Sequence, residues 1–159
     1  MKFLAALMVV ALLFAIGGVA WLYLDATITV EATGTAVVEA SAQTALFDQL
    51  RQQMDNNAVI GTTFRKATLD NPADYQFTVY TIRLKNNCFI TADMVELQIS
   101  PTAGDILQVG QDAAHALRAR STGDIQATIL SDIGTQTVRE ITVTYYMWGI
   151  PFSLKTTTR

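Results

Sequence analysis

Residues 94–100, MVELQIS, put Val95, Leu97 and Ile99 on one side of an extended chain and Glu96, Gln98 and Ser100 on the other. A period of two with one dry and one wet face is the signature of a half-buried strand. The same alternation recurs outward in both directions. Downstream, Pro101 and residues 102–105 turn the chain into Ile106–Val109, and Asp124–Leu130 places Ile125, Ala127 and Ile129 inward. Val138–Trp148 is the longest run. It sets Ile141, Val143, Tyr145 and Met147 against Thr142, Thr144, Tyr146 and Trp148, then returns through Gly149-Ile150-Pro151 into Phe152–Thr156 as a hairpin.

Upstream, Tyr75, Phe77 and Val79 share one face and Tyr80, Ile82 and Leu84 the other. That change of phase predicts a bulge, or a strand that changes sheets, between Val79 and Tyr80. Asn86-Asn87 follows as a turn. Nearer the start, residues 26–32 read as a strand with Ile28 and Val30 on one face, Thr33-Gly34-Thr35 as a break, and Ala36–Glu39 as a second strand or an extended link. Residues 58–64 read as a short edge segment. Asn71-Pro72 marks an extended turn. The count is about seven to nine short strands, with no strand–helix alternation of the kind a parallel sheet needs. The expected fold is mainly β: one antiparallel β-sandwich of immunoglobulin-like or fibronectin-III-like type.

One segment departs from this period. Leu46, Phe47, Leu50 and Met54 form the stripe of a short amphipathic helix, capped by Ser41 or Thr44 and ended by Asp55-Asn56-Asn57. It reads first as a lid over the sheet core, and in the alternative as a docking element through Leu46 and Leu50.

The chain opens differently. Phe3–Leu24 is an unbroken apolar run of 22 residues without a charged side chain, roughly 33 Å long as a helix against a hydrocarbon core of about 30 Å. Trp21 and Tyr23 stand at its far end, where amphipathic rings prefer the headgroup level. Lys2 precedes it, so the positive-inside rule puts the N-terminus in the cytoplasm and residues 25–159 outside, on a single-pass anchor in the cell membrane. The rival reading is a cleaved secretory signal with Gly18-Val19-Ala20 at the cut, which would release the domain. The run continues past that site through Trp21, Leu22 and Leu24, and this favours the anchor over residues 1–24.

The remainder holds ten Lys/Arg and fourteen Asp/Glu scattered singly, with no basic stripe, so nucleic acid is not an expected partner. Cys88 is the single cysteine and reads as buried filler. His115 falls in a loop beginning at Gly110, with no ligand spacing around it. No phosphate-binding glycine loop, metal-ligand motif or nucleophile motif occurs. The carboxylates of Asp93, Glu96, Asp105, Asp112 and Asp124 are available for hydrolysis or calcium, but their spacing selects no pair. Two features could take a ligand, though each reads first as ordinary structure. Arg118 and Arg120 lie beside Ser121, Thr122 and Gly123 in what reads first as a solvated edge and turn and in the alternative as a site for an anion or a lipid headgroup. Tyr145, Tyr146, Trp148 and Phe152 form an aromatic hairpin that reads first as packing for the end of the core and in the alternative as a binding surface.

Residues 80–87 (YTIRLKNN), 95–99 (VELQI), 119–124 (ARSTGD) and 144–152 (TYYMWGIPF) resemble a group of small, membrane-anchored bacterial proteins, a resemblance that brings no activity with it. Over residues 75–157 the layout is more loosely similar to fibronectin-III-like and late-embryogenesis-abundant type 2 sandwich domains. Neither carries functional residues across. The expected function is non-enzymatic and without cofactor: a membrane-tethered extracytoplasmic module, held through residues 3–24, that touches another envelope protein. The alternatives are a domain binding lipid, glycan or a small ligand, and a carboxylate-dependent hydrolase.

Overall fold

The computed structural model describes residues 2–24, 27–110 and 115–158. Helix α1 (Lys2–Leu24) leads to strand β1 (Ile28–Glu39). A 3-10 turn, Ala40–Gln43, enters helix α2 (Thr44–Asp55). Then come β2 (Gly61–Thr63), β3 (Tyr75–Asn86), β4 (Ala92–Ile99), β5 (Asp105–Val109), β6 (His115–Leu117), β7 (Thr122–Asp132), β8 (Glu140–Met147) and β9 (Ile150–Thr157). The strands form a five-stranded sheet, β1-β3-β7-β5-β2, and a four-stranded sheet, β6-β4-β8-β9, antiparallel throughout. The expected sandwich is the observed architecture.

Alternation in β4, β7 and β8 drives the packing. Val95, Leu97 and Ile99 from one sheet meet Ile125, Ala127 and Ile129 from the other, with Tyr80, Ile82, Leu84, Ile141, Val143 and Met147 completing the central core. A second core lies on the opposite face of the five-stranded sheet. There α2 lays Phe47 and Leu50 over Phe77, Leu107 and Leu130, with Leu69 alongside.

Those two cores explain the change of phase in β3. Its register against β7 runs unbroken from Tyr75↔Asp132 to Lys85↔Thr122, so the bulge expected between Val79 and Tyr80 is absent. Phe77 faces the α2 core and Tyr80, Ile82 and Leu84 face the other sheet. The apolar set changes sides because the covering layer does. The irregularity sits instead in β1, where Glu31 is extra between Val30↔Leu84 and Ala32↔Arg83. The expected break at Thr33-Gly34-Thr35 is also absent. Gly34 pairs with Thr81 inside one continuous strand, since β3 supplies partners along its whole length.

Neither expected helix cap forms. Gln43 occupies the N-cap position without a side-chain bond, and Ser41 Oγ donates to Glu39 Oε2. The 3-10 turn already leads the chain into the helix. His115 begins strand β6, opposite Val95, and is not in a loop. Cys88 is buried.

Helix α1 is a different object. Its residues Phe3–Trp21 have a mean hydropathy of 2.7 and are long and apolar enough to cross a membrane. They are exposed around the whole circumference. A helix apolar on every side needs an apolar surround, and the sandwich does not provide one.

Candidate functional site

Strand direction sorts the loops into two ends. β1 leaves α1 at Ile28, which pairs with Asn86 at the close of β3. β7 begins beside Lys85, Ala92 of β4 pairs with Leu117 of β6, and Asp93 pairs with Tyr146 of β8. Residues 87–91, the turn 118–121 and the Trp148-Gly149 turn therefore gather at the end where α1 joins the sandwich.

Asn86 ties two of these loops together. Its side chain is fully buried, and the two N–H groups of Nδ2 are shared among the carbonyls of Ile90, Leu117 and Arg118, at 2.7, 3.0 and 3.1 Å. Its Oδ1 accepts from Cys88 N at 2.9 Å. An amide can satisfy several buried carbonyls where an apolar side chain would leave them bare. Arg120 N also donates to Cys88 O.

On this base stand the exposed groups. Phe89 is 59 % exposed, and the Arg120 guanidinium lies 4.0 Å above its ring centroid. Trp21 of α1 is 6.5 Å from the same ring. Arg120 holds φ 54° and is exposed. Among the described residues neither Arg118 nor Arg120 joins an ion pair, whereas their neighbours Lys85 and Arg83 are bonded to Glu31 and Asp124. Mutual hydrogen bonding pushes the Asp124 carboxyl below its usual range and the Arg83 guanidinium above its own.

The hairpin aromatics divide. Tyr145 turns inward and stacks on Phe152 at 5.6 Å, and burial raises its hydroxyl pKa. Tyr146 lies on the outer face opposite Pro151. Trp148, 51 % exposed, stands at the tip with φ 53°, followed by Gly149 at φ 76°. A two-residue hairpin with both φ positive suits Asn-Gly far better than Trp-Gly.

Of the candidate interaction residues, Arg118, Arg120, Tyr146 and Trp148 are brought to one end. Leu46 and Leu50 are not among them. Leu50 is 2 % exposed and Leu46 half-buried within the α2 core, so the helix spends its apolar stripe as a lid. Phe89, Met94 and Ile150 join the site although the sequence reading passed over them. A large aromatic two residues beyond the Asn86-Asn87 pair was the available signal.

No protein-family model matches the chain, and no curated protein matches it.

The acids are dispersed. Asp105 is buried against Arg139 at the opposite end, Asp124 is held by Arg83, Asp93 and Glu96 are exposed on β4, and Asp112 lies outside the described residues. Among the described residues no group of three or more His, Cys, Asp or Glu could hold a metal ion. A shallow hollow of about 290 Å³ beside the end of α2 is lined by Met54, Asp55, Asn57, Lys66, Ala67 and Thr68. It offers one carboxylate beside one ammonium and no acid pair.

Proposed function

We propose that this chain is a non-enzymatic module, tethered by α1 on the outer side of the cell membrane, that acts by contact with another envelope protein. The observation that carries this reading is β1. It starts four positions beyond Leu24 and, among the described residues, pairs with β3 on one side only. Twelve residues of outer edge, Ile28–Glu39, run up from the helix with Val37 exposed. Such an edge is a template for an added strand. The bulge at Glu31 and the charge of Glu39 discourage pairing with a second copy and leave room for a partner segment carrying opposite charge.

A photo-cross-linking residue at Val37 of the full-length chain in native membranes tests it. A single partner recovered in near-stoichiometric amount, and lost when α1 is deleted, supports the reading. Full activity from a freely secreted domain overturns it.

A further inference from the structure

Among the described residues outside α1, the large apolar side chains left exposed are Val37, Ile60, Phe89, Met94, Ile133, Val138, Trp148 and Ile150. Phe89, Met94, Trp148 and Ile150 stand together at the end of the sandwich from which α1 departs. Arg118 and Arg120 stand with them. We propose that this end is a bilayer-contact surface: Phe89 and Trp148 enter the headgroup level beside α1, and Arg118 and Arg120 bind lipid phosphate. The inference rests on the reading of α1 as a membrane tether.

Three observations point to a phospholipid surface as the occupant. The first is continuity. Trp21, Phe89 and Arg120 form an unbroken contact series from the last turns of an uncovered apolar helix to the domain, and aromatic rings followed by a cation is the order met on passing from acyl chain to headgroup. The second is the state of the arginines. Stacking on Phe89 occupies the face of the Arg120 guanidinium and leaves its edge N–H groups for phosphate oxygens, the geometry in which arginine differs from lysine. The third is Trp148, a bulky residue in a left-handed turn that costs backbone energy and places an indole at the tip of a rigid hairpin. Asp93 shares this end and Asp25 precedes it in the chain, so the surface is no cationic patch. It recognises phosphate with neighbouring acyl chain, and phosphatidylcholine suffices.

The chain holds two tryptophans, Trp21 and Trp148, which makes each readable alone. Full-length Trp21→Phe and Trp148→Phe chains are reconstituted into phosphatidylcholine vesicles with or without lipid brominated along the acyl chain, and fluorescence quenching is recorded. The expected result is quenching of Trp148 in the first chain and of Trp21 in the second. Arg118→Gln with Arg120→Gln, or Phe89→Ser, lowers the quenching of Trp148 and leaves that of Trp21 unchanged. Trp148 unquenched with Trp21 quenched overturns the inference and spares the tether. Both unquenched sinks the tether itself. Blue-shifted but unquenched Trp148 emission assigns the surface to a protein contact and overturns the inference as well. If a tryptophan variant misfolds, a phospholipid with a photoreactive headgroup is used on the native chain. Labelling within residues 87–91, 118–121 or 148–151 supports the surface, and labelling confined to α1 overturns it.

Discussion

Arg139 Nη2 donates to Asp105 Oδ1 across 3.1 Å at the end of the sandwich opposite α1, with the two side chains 3 % and 0 % exposed. Asp105 Oδ2 also accepts from Thr102 N at 2.7 Å, so one carboxylate closes the β4–β5 turn and neutralises a buried cation. Removing one partner strands the other charge in an apolar setting. Asp105→Ala is expected to cost about 3–5 kcal/mol, read from urea unfolding of the full-length chain in detergent. Replacing both residues by apolar ones of similar volume should recover most of that loss. Equal instability of the single and double variants would refute the pairing argument.

Asn86→Ala should cost about 1–3 kcal/mol, because the buried carbonyl of Leu117 and the partly buried carbonyls of Ile90 and Arg118 lose a donor. Its second effect is local. Cys88, 3 % exposed, should alkylate faster as the 87–91 loop loosens. An unchanged alkylation rate would show that the loop is held by something other than the Asn86 amide.

Phe47→Ala in α2 should cost about 3–5 kcal/mol and Leu50→Ala about 2–5 kcal/mol, since both leave a cavity over Phe77 and Leu130. Neither should alter Trp148 quenching in vesicles, because α2 lies away from the α1 end. A loss of quenching with the fold intact would mean that the two regions are coupled.

Trp148→Asn separates fold from contact. Asn fits the positive φ of this turn before Gly149, so stability should rise by up to about 1–2 kcal/mol. Vesicle contact, followed through lipid photolabelling of residues 87–91, should fall. A destabilised variant would place the indole in a structural role.

Burial raises the Tyr80 hydroxyl pKa above 10.0, with Arg139 acting to lower it and Asp105 to raise it. Burial does the same to Tyr145, which a backbone bond from Ile28 partly offsets. In the unfolded chain these phenols ionise near 10.0 and release protons that the folded state retains. Their contribution is therefore complete below pH 10 and is lost as pH rises through 10.0 toward the folded values. Unfolding should accelerate there together with tyrosinate absorbance. Tyr80→Phe should flatten that slope while lowering stability at neutral pH, where the hydroxyl donates to Thr137 O at 3.0 Å. An unchanged alkaline slope would remove Tyr80 from this account.

Much of the fold was legible because period-two alternation reports which face of a strand is dry. Val95, Leu97 and Ile99, Ile125 to Ile129, and Ile141 to Met147 all sit where that pattern places them. The pattern misled in β3, since a strand covered on one face at one end and on the other face at the other end mimics a bulge. It misled at Gly34 too, where β3 supplies hydrogen bonds that override a local break.

The candidate site was only half legible. Arg118, Arg120, Tyr146 and Trp148 were visible as residue types, but alternation is silent about which loops share an end. Phe89 went unnoticed and Asn86, expected in a turn, proved to be the buried last residue of β3 for the same reason, since each acts through partners about thirty residues away or in another element. By itself the sequence determined an apolar helix long enough to cross a membrane, a mainly β domain behind it and a helix with one apolar stripe, because local periodicity and length are properties of the chain alone. Tertiary structure decided the two cores on opposite faces of one sheet, the buried Arg139–Asp105 pair and the gathering of Phe89, Arg120 and Trp148 beside α1. These depend on strand order and register, which are settled by burial between segments far apart in the chain.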